Sequence, residues 1–212
     1  MTATSIIHAN VVLGANHQIG DFVVIGVPPR ELRPGGMDTS IGAGATIRSH
    51  TIIYAGNQIG ANFQTGHSVM IRELNEIGDN VSIGTHSIIE HHVKIGDDVR
   101  IHSNVFIPEY SILEDGAWVG PHAVLTNALY PRSPDAKAHL RGPRLMTGSK
   151  VGANATLLPG VIIGRNALVG AGSVVVEDVP DGKVVVGNPA RIIRDVSELS
   201  AYSKQKLSSQ GD

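Results

Sequence analysis

The chain has 212 residues, enough for one domain with a small appendage and too few for two full domains. Its 17 basic and 19 acidic side chains nearly balance, so the charge of the whole chain does not indicate a surface for nucleic acid or a membrane. The lack of cysteine excludes disulfides and thiolate chemistry, and with no signal-like or long apolar segment we expect a cytoplasmic protein.

An aliphatic residue recurs at every sixth position along most of the chain. The longest run starts at Ile41 and ends at Leu125, and Thr65 is its one exception. Runs in other phases cover residues 7–25 and 145–175, so insertions at about 27–40 and 126–144 interrupt one array. A period of six does not fit the 3.6 residues of a helical turn, and the glycine that often follows the aliphatic residue permits a tight corner. The sequence therefore predicts a β-solenoid.

This repeat resembles the hexapeptide-repeat family, which folds as a left-handed parallel β-helix with 18 residues per coil. The resemblance covers about residues 6–187 and implies an all-β solenoid with two inserted loops, assembled as a homotrimer with sites between subunits. We divide the chain into a β-helix domain, 1–187, and a C-terminal extension, 188–212, with a short helix. The helical spacing in the extension is that of Ile192, Ile193, Val196 and Leu199.

Residues 18 positions apart should stack in columns, and polar side chains concentrate in columns on two of the three faces. The third face, which starts at Ile41, Ile59 and Ile77, has ordinary turn residues. We expect Arg72 to stack on Glu90 and His92 on Tyr110. A solvated ladder would explain any one of these residues, but together they predict a cleft. The two main columns are His50, Ser68, His86, Asn104 and His122, and Glu73, His91, Glu109 and Asn127.

The segment EHHVKIG, residues 90–96, is similar to the segment that carries the catalytic histidine in hexapeptide-repeat sugar N-acetyltransferases. The resemblance implies that His91 is a general base, and we expect Glu73 and Glu109 to orient it. Those enzymes usually have an acidic residue next, whereas here His92 follows, and we expect its side chain to point elsewhere. The segment HSNVFIPEYSILEDG resembles nucleotide-sugar N-acetyltransferases. It implies a place near the reacting amine for Asn104. We expect Asn104 and His86 to place the amine or polarise the carbonyl, and Glu109 completes the catalytic set.

The second insertion has the basic residues Arg132, Lys137, Arg141 and Arg144 against Asp135. An exposed basic loop is often only solvated, but beside a cleft it could bind phosphates. The first insertion, GVPPRELRPGG, is similar to a proline-containing loop of lipid A acyltransferases. The predicted substrate-binding residues are His67, Arg72, Glu73, Tyr110, His122, Asn127, Arg132 and Arg141.

The last coils are rich in Gly and Ala and resemble the coenzyme-A-binding coils of this family, which end in GNPAR. Small residues would let the pantetheine arm lie close to the backbone. The resemblance therefore implies acetyl-CoA as the acyl donor. The implied cofactor-binding residues are Ala153, Arg165, Gly170, Ala171, Lys183, Pro189 and Arg191.

These patterns favour a CoA-dependent N-acyltransferase that acetylates a nucleotide-linked amino sugar, with an O-acyltransferase as the near alternative. A zinc lyase of the gamma carbonic anhydrase type is a third reading, because His50, His86 and His91 have its ligand spacing, 36 and then 5 residues. His50 and His86 lie two coils apart, about 9.6 Å at the strand spacing, which is too far to share a metal within one subunit. We therefore expect no metal. A non-catalytic trimer is the remaining alternative.

Overall fold

The structure is a computed structural model that describes residues 5–30, 32–33 and 35–203. The described residues form 27 β-strands, numbered β1–β27 in chain order, and nearly all of them have only two or three residues. From β1 to β25 the chain passes through three parallel sheets in turn, so consecutive strands in this part belong to different sheets. The result is the three-faced solenoid that the six-residue period predicts.

Each sheet stacks one strand from every coil. Sheet A has the strands β1 Ile6–Ile7, β4 Val24–Val27, β7 Ile52–Tyr54, β10 Met70–Ile71, β13 Ile88–Ile89, β16 Phe106–Ile107, β19 Val124–Leu125, β22 Thr156–Leu157 and β25 Val174–Val175. Sheet B has β2 Val11–Leu13, β5 Thr39–Ile41, β8 Gln58–Ile59, β11 Glu76–Ile77, β14 Lys94–Ile95, β17 Ile112–Leu113, β20 Arg144–Leu145 and β23 Ile162–Ile163. Sheet C has β3 Gln18–Ile19, β6 Thr46–Ile47, β9 Gln64–Thr65, β12 Ser82–Ile83, β15 Arg100–Ile101, β18 Trp118–Val119, β21 Lys150–Val151, β24 Leu168–Val169, β26 Lys183–Gly187 and β27 Ala190–Asp195.

The strand register has the predicted 18-residue coil. In sheet A, Ile53 pairs with Ile71, Ile71 with Ile89, and Ile89 with Ile107. All four side chains are fully buried. Successive coils thus fill the interior with aliphatic side chains one above another, and few aromatic residues are needed. Phe63 is an aromatic side chain that lies within this core.

Two loops interrupt the strand stacking, and all three sheets continue beyond each loop. Residues 28–38 lie between β4 and β5, and residues 126–143 lie between β19 and β20. The second loop contains a 3₁₀ helix, Ala136–His139. After that loop, Leu113 pairs with Leu145. The loops therefore project from a solenoid that continues on either side of them.

The C-terminal strands differ from the prediction. β26 runs parallel to β24, but β27 turns back antiparallel to β26. The helical spacing assigned to Ile192 and Ile193 is wrong, since both lie on β27, which pairs with β26. Ile192 is opposite Val185, and Ile193 lies at the irregularity between Ile192 and Arg194. A 3₁₀ helix, Val196–Glu198, and a single helical turn, Ser200–Ser203, follow. Residues 204–212 lie outside the described part.

The outer surface of sheet A is unusually apolar. Side chains alternate along each strand, so the neighbour of each buried core residue points outward. On sheets B and C these outward positions include Glu76, Lys94, Arg100 and Lys150. On sheet A all but Thr156 are apolar, and we call this surface the sheet A face: Ile6, Val24, Ile52, Met70, Ile88, Phe106, Val124, Thr156 and Val174. None of the described helices is both long and apolar enough to cross a bilayer.

Candidate functional site

The polar columns lie at two corners of the solenoid. The A–B corner is the turn after each sheet A strand, and it contains residues 72–74, 90–92 and 108–110. The C–A corner is the turn after each sheet C strand, and it contains residues 66–68, 84–86, 102–104 and 120–122. The two corners flank the sheet A face. Polar groups therefore border an apolar surface on both sides.

Arg72 organises the carboxylates at the A–B corner. Its Nε and Nη2 donate to the two carboxylate oxygens of Glu73 at 2.9 and 3.0 Å. Its Nη1 lies 3.5 Å from Glu90 Oε2, so the predicted stacking of Arg72 on Glu90 is confirmed. The guanidinium also lies 5.0 Å from the centre of the Tyr54 ring. Arg72 is thus held by two carboxylates and an aromatic face.

His91 lies beside the next carboxylate of its column. Its Nε2 is 3.7 Å from Glu109 Oε1, and both side chains are about three-quarters buried, with 26% and 24% exposed. Glu109 Oε2 accepts a hydrogen bond of 2.6 Å from Asn127 Nδ2. The expected arrangement of Glu109 and His91 is therefore present. The carboxylate of Glu73 is bonded to Arg72, and its interaction with His91 is electrostatic.

His92 does not point away from His91. The two Nδ1 atoms are 2.7 Å apart, and the rings meet edge to face with centroids 4.9 Å apart. The expectation from strand alternation is wrong because His92 is not in a strand. It occupies the left-handed region with a φ of 57°, in the turn that leads from β13 of sheet A to β14 of sheet B. His92 also stacks on Tyr110, as predicted, at a ring distance of 5.6 Å.

The glutamates of this corner have opposite pKa shifts. Desolvation by burial acts to raise the pKa of Glu73, but the hydrogen bonds and charge of Arg72, with a smaller contribution from His91, lower it overall. For Glu90, desolvation raises the pKa, Arg72 opposes this, and repulsion by Glu109 adds to the rise. Glu90 therefore holds a proton more readily in the folded chain than a free glutamate does.

Two buried asparagines beneath the A–B corner were not identified from the sequence. Asn57 and Asn75 are fully buried, and the Nδ2 atom of each donates to the carbonyl of Arg72 at 2.8 Å. Asn75 Oδ1 accepts from the backbone N–H of Val93 at 2.7 Å. This ladder fixes the backbone that carries Arg72 and Glu73. The sequence does contain a sign of this ladder. Asn57 and Asn75 stand in the same column as Val93, so polar residues occupy a core position that is valine in the next coil.

The C–A corner presents its polar side chains separately. His50, His86, Asn104 and His122 have φ values of 65°, 59°, 58° and 60°, so each occupies the left-handed corner conformation. Asn104 Nδ2 lies 3.5 Å from His122 Nε2. His67 Nδ1 lies 2.7 Å from Ser49 Oγ.

Within one chain, the C–A corner and His91 lie at opposite ends of the sheet A strands. His86 precedes β13, and His91 follows it. The chain alone thus does not gather His86 and Asn104 around His91, as the predicted catalytic set requires.

The second loop is linked to the A–B corner by the side chain of its residue Asn127, which donates to Glu109. The N–H of Arg141 donates to the carbonyl of Asn127 at 2.9 Å, next to the contact between Asn127 and Glu109. Arg132 and Arg141 are both exposed. Arg144 does not add free charge to the loop, because its Nε donates to Glu114 Oε1 at 2.9 Å. The loop therefore brings exposed cations near the column of His91.

The predicted cofactor-binding residues are spread over several corners. Ala153 and Ala171 share one column at the C–A corner, but Arg165 lies at the corner after sheet B, where its Nη1 is 3.5 Å from Asp181. Lys183 Nζ pairs with Asp195.

Other members of that set have structural partners of their own. Pro189 lies in the turn between β26 and β27, and Arg191 Nη1 donates to the carbonyl of Ala190. Glycine at position 170 is explained by packing, since a Cβ there would lie 2.6 Å from Val186 Cγ1. Of the set, Ala153 and Ala171 are the two that form a small-residue column.

The histidines do not form a metal centre within the described residues. No group of three or more His, Asp or Glu side chains in this part of the chain is arranged to hold a metal ion. His50 and His86 are separated by a whole coil that carries Ser68 in their column.

Two segments, residues 76–109 and 142–176, match the family model described as bacterial transferase hexapeptide (six repeats). A 2,3,4,5-tetrahydropyridine-2,6-dicarboxylate N-acetyltransferase of Clostridium perfringens is 62% identical over 48 residues, 23% of this chain and 20% of that protein. A Staphylococcus aureus protein of the same name is 39% identical over 87 residues, 41% of this chain and 34% of that protein. The chain thus spans about a third or less of the length of these relatives.

A solved structure has a similar fold over almost the whole chain. It is a UDP-N-acetylglucosamine acyltransferase from Bacteroides fragilis, with a TM-score of 0.68 and 16% identity, and the match covers 98% of this chain and 76% of that one. At this identity the likeness defines the fold, a left-handed parallel β-helix, as the sequence predicts. Both family-model segments lie within the stacked coils. The hexapeptide repeat that this family model describes thus occurs in two segments, which together make up about a third of the chain.

Proposed function

We propose that the protein is a cytoplasmic CoA-dependent N-acyltransferase that transfers an acetyl group from acetyl-CoA to the amine of a nucleotide-linked amino sugar. The relatives in Clostridium perfringens and Staphylococcus aureus are named N-acetyltransferases, which supports acetyl transfer to nitrogen. The absence of cysteine suits a reducing cytosol.

The observation that carries the proposal is the position of His91 at the A–B corner. Its Nε2 lies 3.7 Å from the carboxylate of Glu109, and about a quarter of the side chain remains open to a substrate. A partly buried imidazole beside a carboxylate suits a general base, because the carboxylate stabilises the imidazolium that forms. His91 would take the proton from the amine as the amine attacks the thioester carbonyl.

The charge of the corner favours an amine over a hydroxyl as acceptor. Glu73, Glu90 and Glu109 lie close together with Arg72 as the one guanidinium among them. An excess of carboxylates attracts a substrate ammonium group. The exposed cations Arg132 and Arg141 on the adjacent loop support an acceptor that carries phosphates.

A homotrimer would complete the site. The sheet A face is apolar and lies between the two polar corners, so its burial against a second copy would bring the C–A corner of one subunit near the A–B corner of another. Asn104, His86 and His122 would then reach the substrate from the partner subunit. Small residues at the C–A corner, Ala153 and Ala171, would leave room for the pantetheine arm at the same interface.

The decisive experiment incubates the protein with acetyl-CoA and a panel of acceptors and measures release of free thiol. The panel has nucleotide-linked amino sugars, their hydroxyl analogues and 2,3,4,5-tetrahydropyridine-2,6-dicarboxylate. We expect turnover with an amino sugar, and His91→Ala should lower kcat by about 10²- to 10⁴-fold. Turnover with the dicarboxylate alone would assign a different acceptor. An active His91→Ala variant would remove the histidine from the mechanism.

A further inference from the structure

The imidazoles of His91 and His92 form a hydrogen bond to each other through Nδ1 and Nδ1, at 2.7 Å. A bond between two imidazole nitrogens requires a proton on one of them and a lone pair on the other. In the neutral pair, the nitrogen that carries this proton therefore fixes the tautomer of both rings. Among the described residues, His92 is the hydrogen-bond partner of the His91 side chain, because Glu109 at 3.7 Å is too distant for a hydrogen bond.

The corner conformation does not by itself require histidine at position 92. Leu74, His92 and Tyr110 occupy the same corner position in three successive coils, with φ values of 60°, 57° and 64°. Leucine has no ring nitrogen, yet it occupies this position one coil earlier. The turn therefore accepts a side chain that cannot bond to position 91, and the imidazole of His92 needs another reason.

We propose that His92 is a positioning residue for the acyl transfer, which accepts the Nδ1 proton of His91 and so leaves Nε2 of His91 as the unprotonated base. This inference rests on the proposed function. The amine nitrogen forms a bond to the thioester carbonyl carbon, and its proton passes to Nε2 of His91. The carbon–sulfur bond then breaks, and the proton passes from Nε2 to the sulfur of the departing CoA thiol.

His92 and Glu109 divide two tasks. His92 holds the ring of His91 and its tautomer from the Nδ1 side. Glu109, held by Asn127 at 2.6 Å, lies on the Nε2 side, where its charge attracts the imidazolium after proton transfer. The carboxylate of Glu73 accepts a hydrogen bond from Arg72 instead. In the opposite tautomer, Nε2 would carry a hydrogen and could not accept a proton from the substrate.

The tautomer can be measured without a substrate, by two-bond ¹H–¹⁵N correlation spectra of histidine-labelled protein. The chain has 10 histidines, so the His91 signals are assigned as those that His91→Ala removes. We expect the Nδ1–H form of His91 in the parent protein, at a pH at which the pair is neutral. His92→Leu should shift His91 toward the Nε2–H form, and His92→Asn should restore Nδ1–H, because an amide oxygen accepts a hydrogen bond and asparagine suits a positive φ.

Kinetics give the second readout. His92→Leu should lower kcat by about 10- to 100-fold, part of what a positioned base contributes, with KM unchanged, and His92→Asn should recover most of the loss. An Nε2–H form of His91 in the parent, no change of tautomer in His92→Leu, or a His92→Leu kcat equal to the parent's would overturn the inference. A parent without acyl transfer would count against the proposed function, and the tautomer measurement would still decide the role of His92.

Discussion

At the scale of single residues, the pKa values of the glutamates at the A–B corner depend on how closely Arg72 binds each of them. Arg72 bonds both oxygens of Glu73 and reaches Glu90 less closely, at 3.5 Å. Glu73 is therefore stabilised in its charged form, and Glu90 is not. Their pKa values shift in opposite directions although the two residues lie in neighbouring coils.

We predict opposite pH dependence for Glu73→Gln and Glu90→Gln. The lowered pKa of Glu73 contributes stability above its ordinary pKa, and this contribution is lost as the pH falls through the lowered value. The raised pKa of Glu90 contributes stability at low pH, and this is lost as the pH rises from the ordinary value through the raised one. As the pH rises from about 3.5 to 7, the melting temperature should fall relative to the parent for Glu73→Gln and rise for Glu90→Gln.

Thermal unfolding followed by circular dichroism across this pH range checks the prediction. Glu76→Gln is the control, because Glu76 lies on the outer surface of sheet B, where 66% of its side chain is exposed in a pair with Lys94. Its difference from the parent should change little with pH. Parallel pH profiles for Glu73→Gln and Glu90→Gln would contradict the assignment.

At the scale of elements, the position of the A–B corner depends on the hydrogen bonds that hold its backbone. Asn57 and Asn75 form a ladder of side-chain bonds to the carbonyl of Arg72 and to the N–H groups of Asn75 and Val93. These groups are buried, so their bonds cannot be replaced by bonds to water without opening the coil. The ladder links the solenoid core to the residues that carry the proposed chemistry.

Asn75→Ala should destabilise the protein by about 1–3 kcal/mol, because the N–H of Val93 would remain buried without its acceptor. Asn62→Gly is the matched control, since Asn62 lies at an exposed corner with a φ of 56° and glycine occupies that position one coil earlier. Denaturant unfolding of the parent and both variants measures the difference. An equal decrease in the free energy of unfolding for the two variants would show that the buried asparagine ladder stabilises the protein no more than an exposed corner residue does.

The second loop is the other element that reaches the site. Its residue Asn127 donates to Glu109 and accepts a hydrogen bond from the backbone N–H of Arg141 in the same loop. Replacing Arg132 and Arg141 together by Ala should raise the apparent KM of a phosphate-bearing substrate with little change in kcat, because binding common to the ground and transition states is lost. Steady-state kinetics with Lys94→Ala as control, on the outer surface of sheet B, provides the measurement. Unchanged KM values for donor and acceptor would exclude the loop from the site.

At the scale of the whole molecule, the three outer surfaces differ in character. Sheets B and C carry charged side chains at outward positions, whereas the outward residues of the sheet A face are apolar except for Thr156. Val124 is 40% exposed and Ile6 is 53% exposed on this face. A continuous apolar surface of this kind is typical of a contact with another protein.

We predict a homotrimer that Phe106→Arg converts to a monomer. Phe106 lies near the middle of the sheet A face, and burial of a charge there would leave it unpaired. Light scattering coupled to gel filtration should give three times the chain mass for the parent and one chain mass for the variant. Gln64→Arg, on the outer surface of sheet C, should leave the trimer intact. A monomeric parent at micromolar concentration would argue against a site shared between subunits.

The sequence alone determined the coil. A residue that must be buried at every sixth position fixes the length of each face, and 18 residues per coil fix which side chains stack, so the columns of His91 with Glu109 and of His92 with Tyr110 could be predicted. Only the tertiary structure decided how the stacked groups pair. Arg72 binds Glu73 rather than leaving it to His91, and the left-handed corner turns His92 onto His91. The backbone at the end, where Ile192 and Ile193 form a strand instead of a helix, was likewise decided by pairing with β26. The physical reason is that a repeat constrains the backbone spacing of every coil, whereas the choice among equally near partners depends on side-chain reach, local φ and burial.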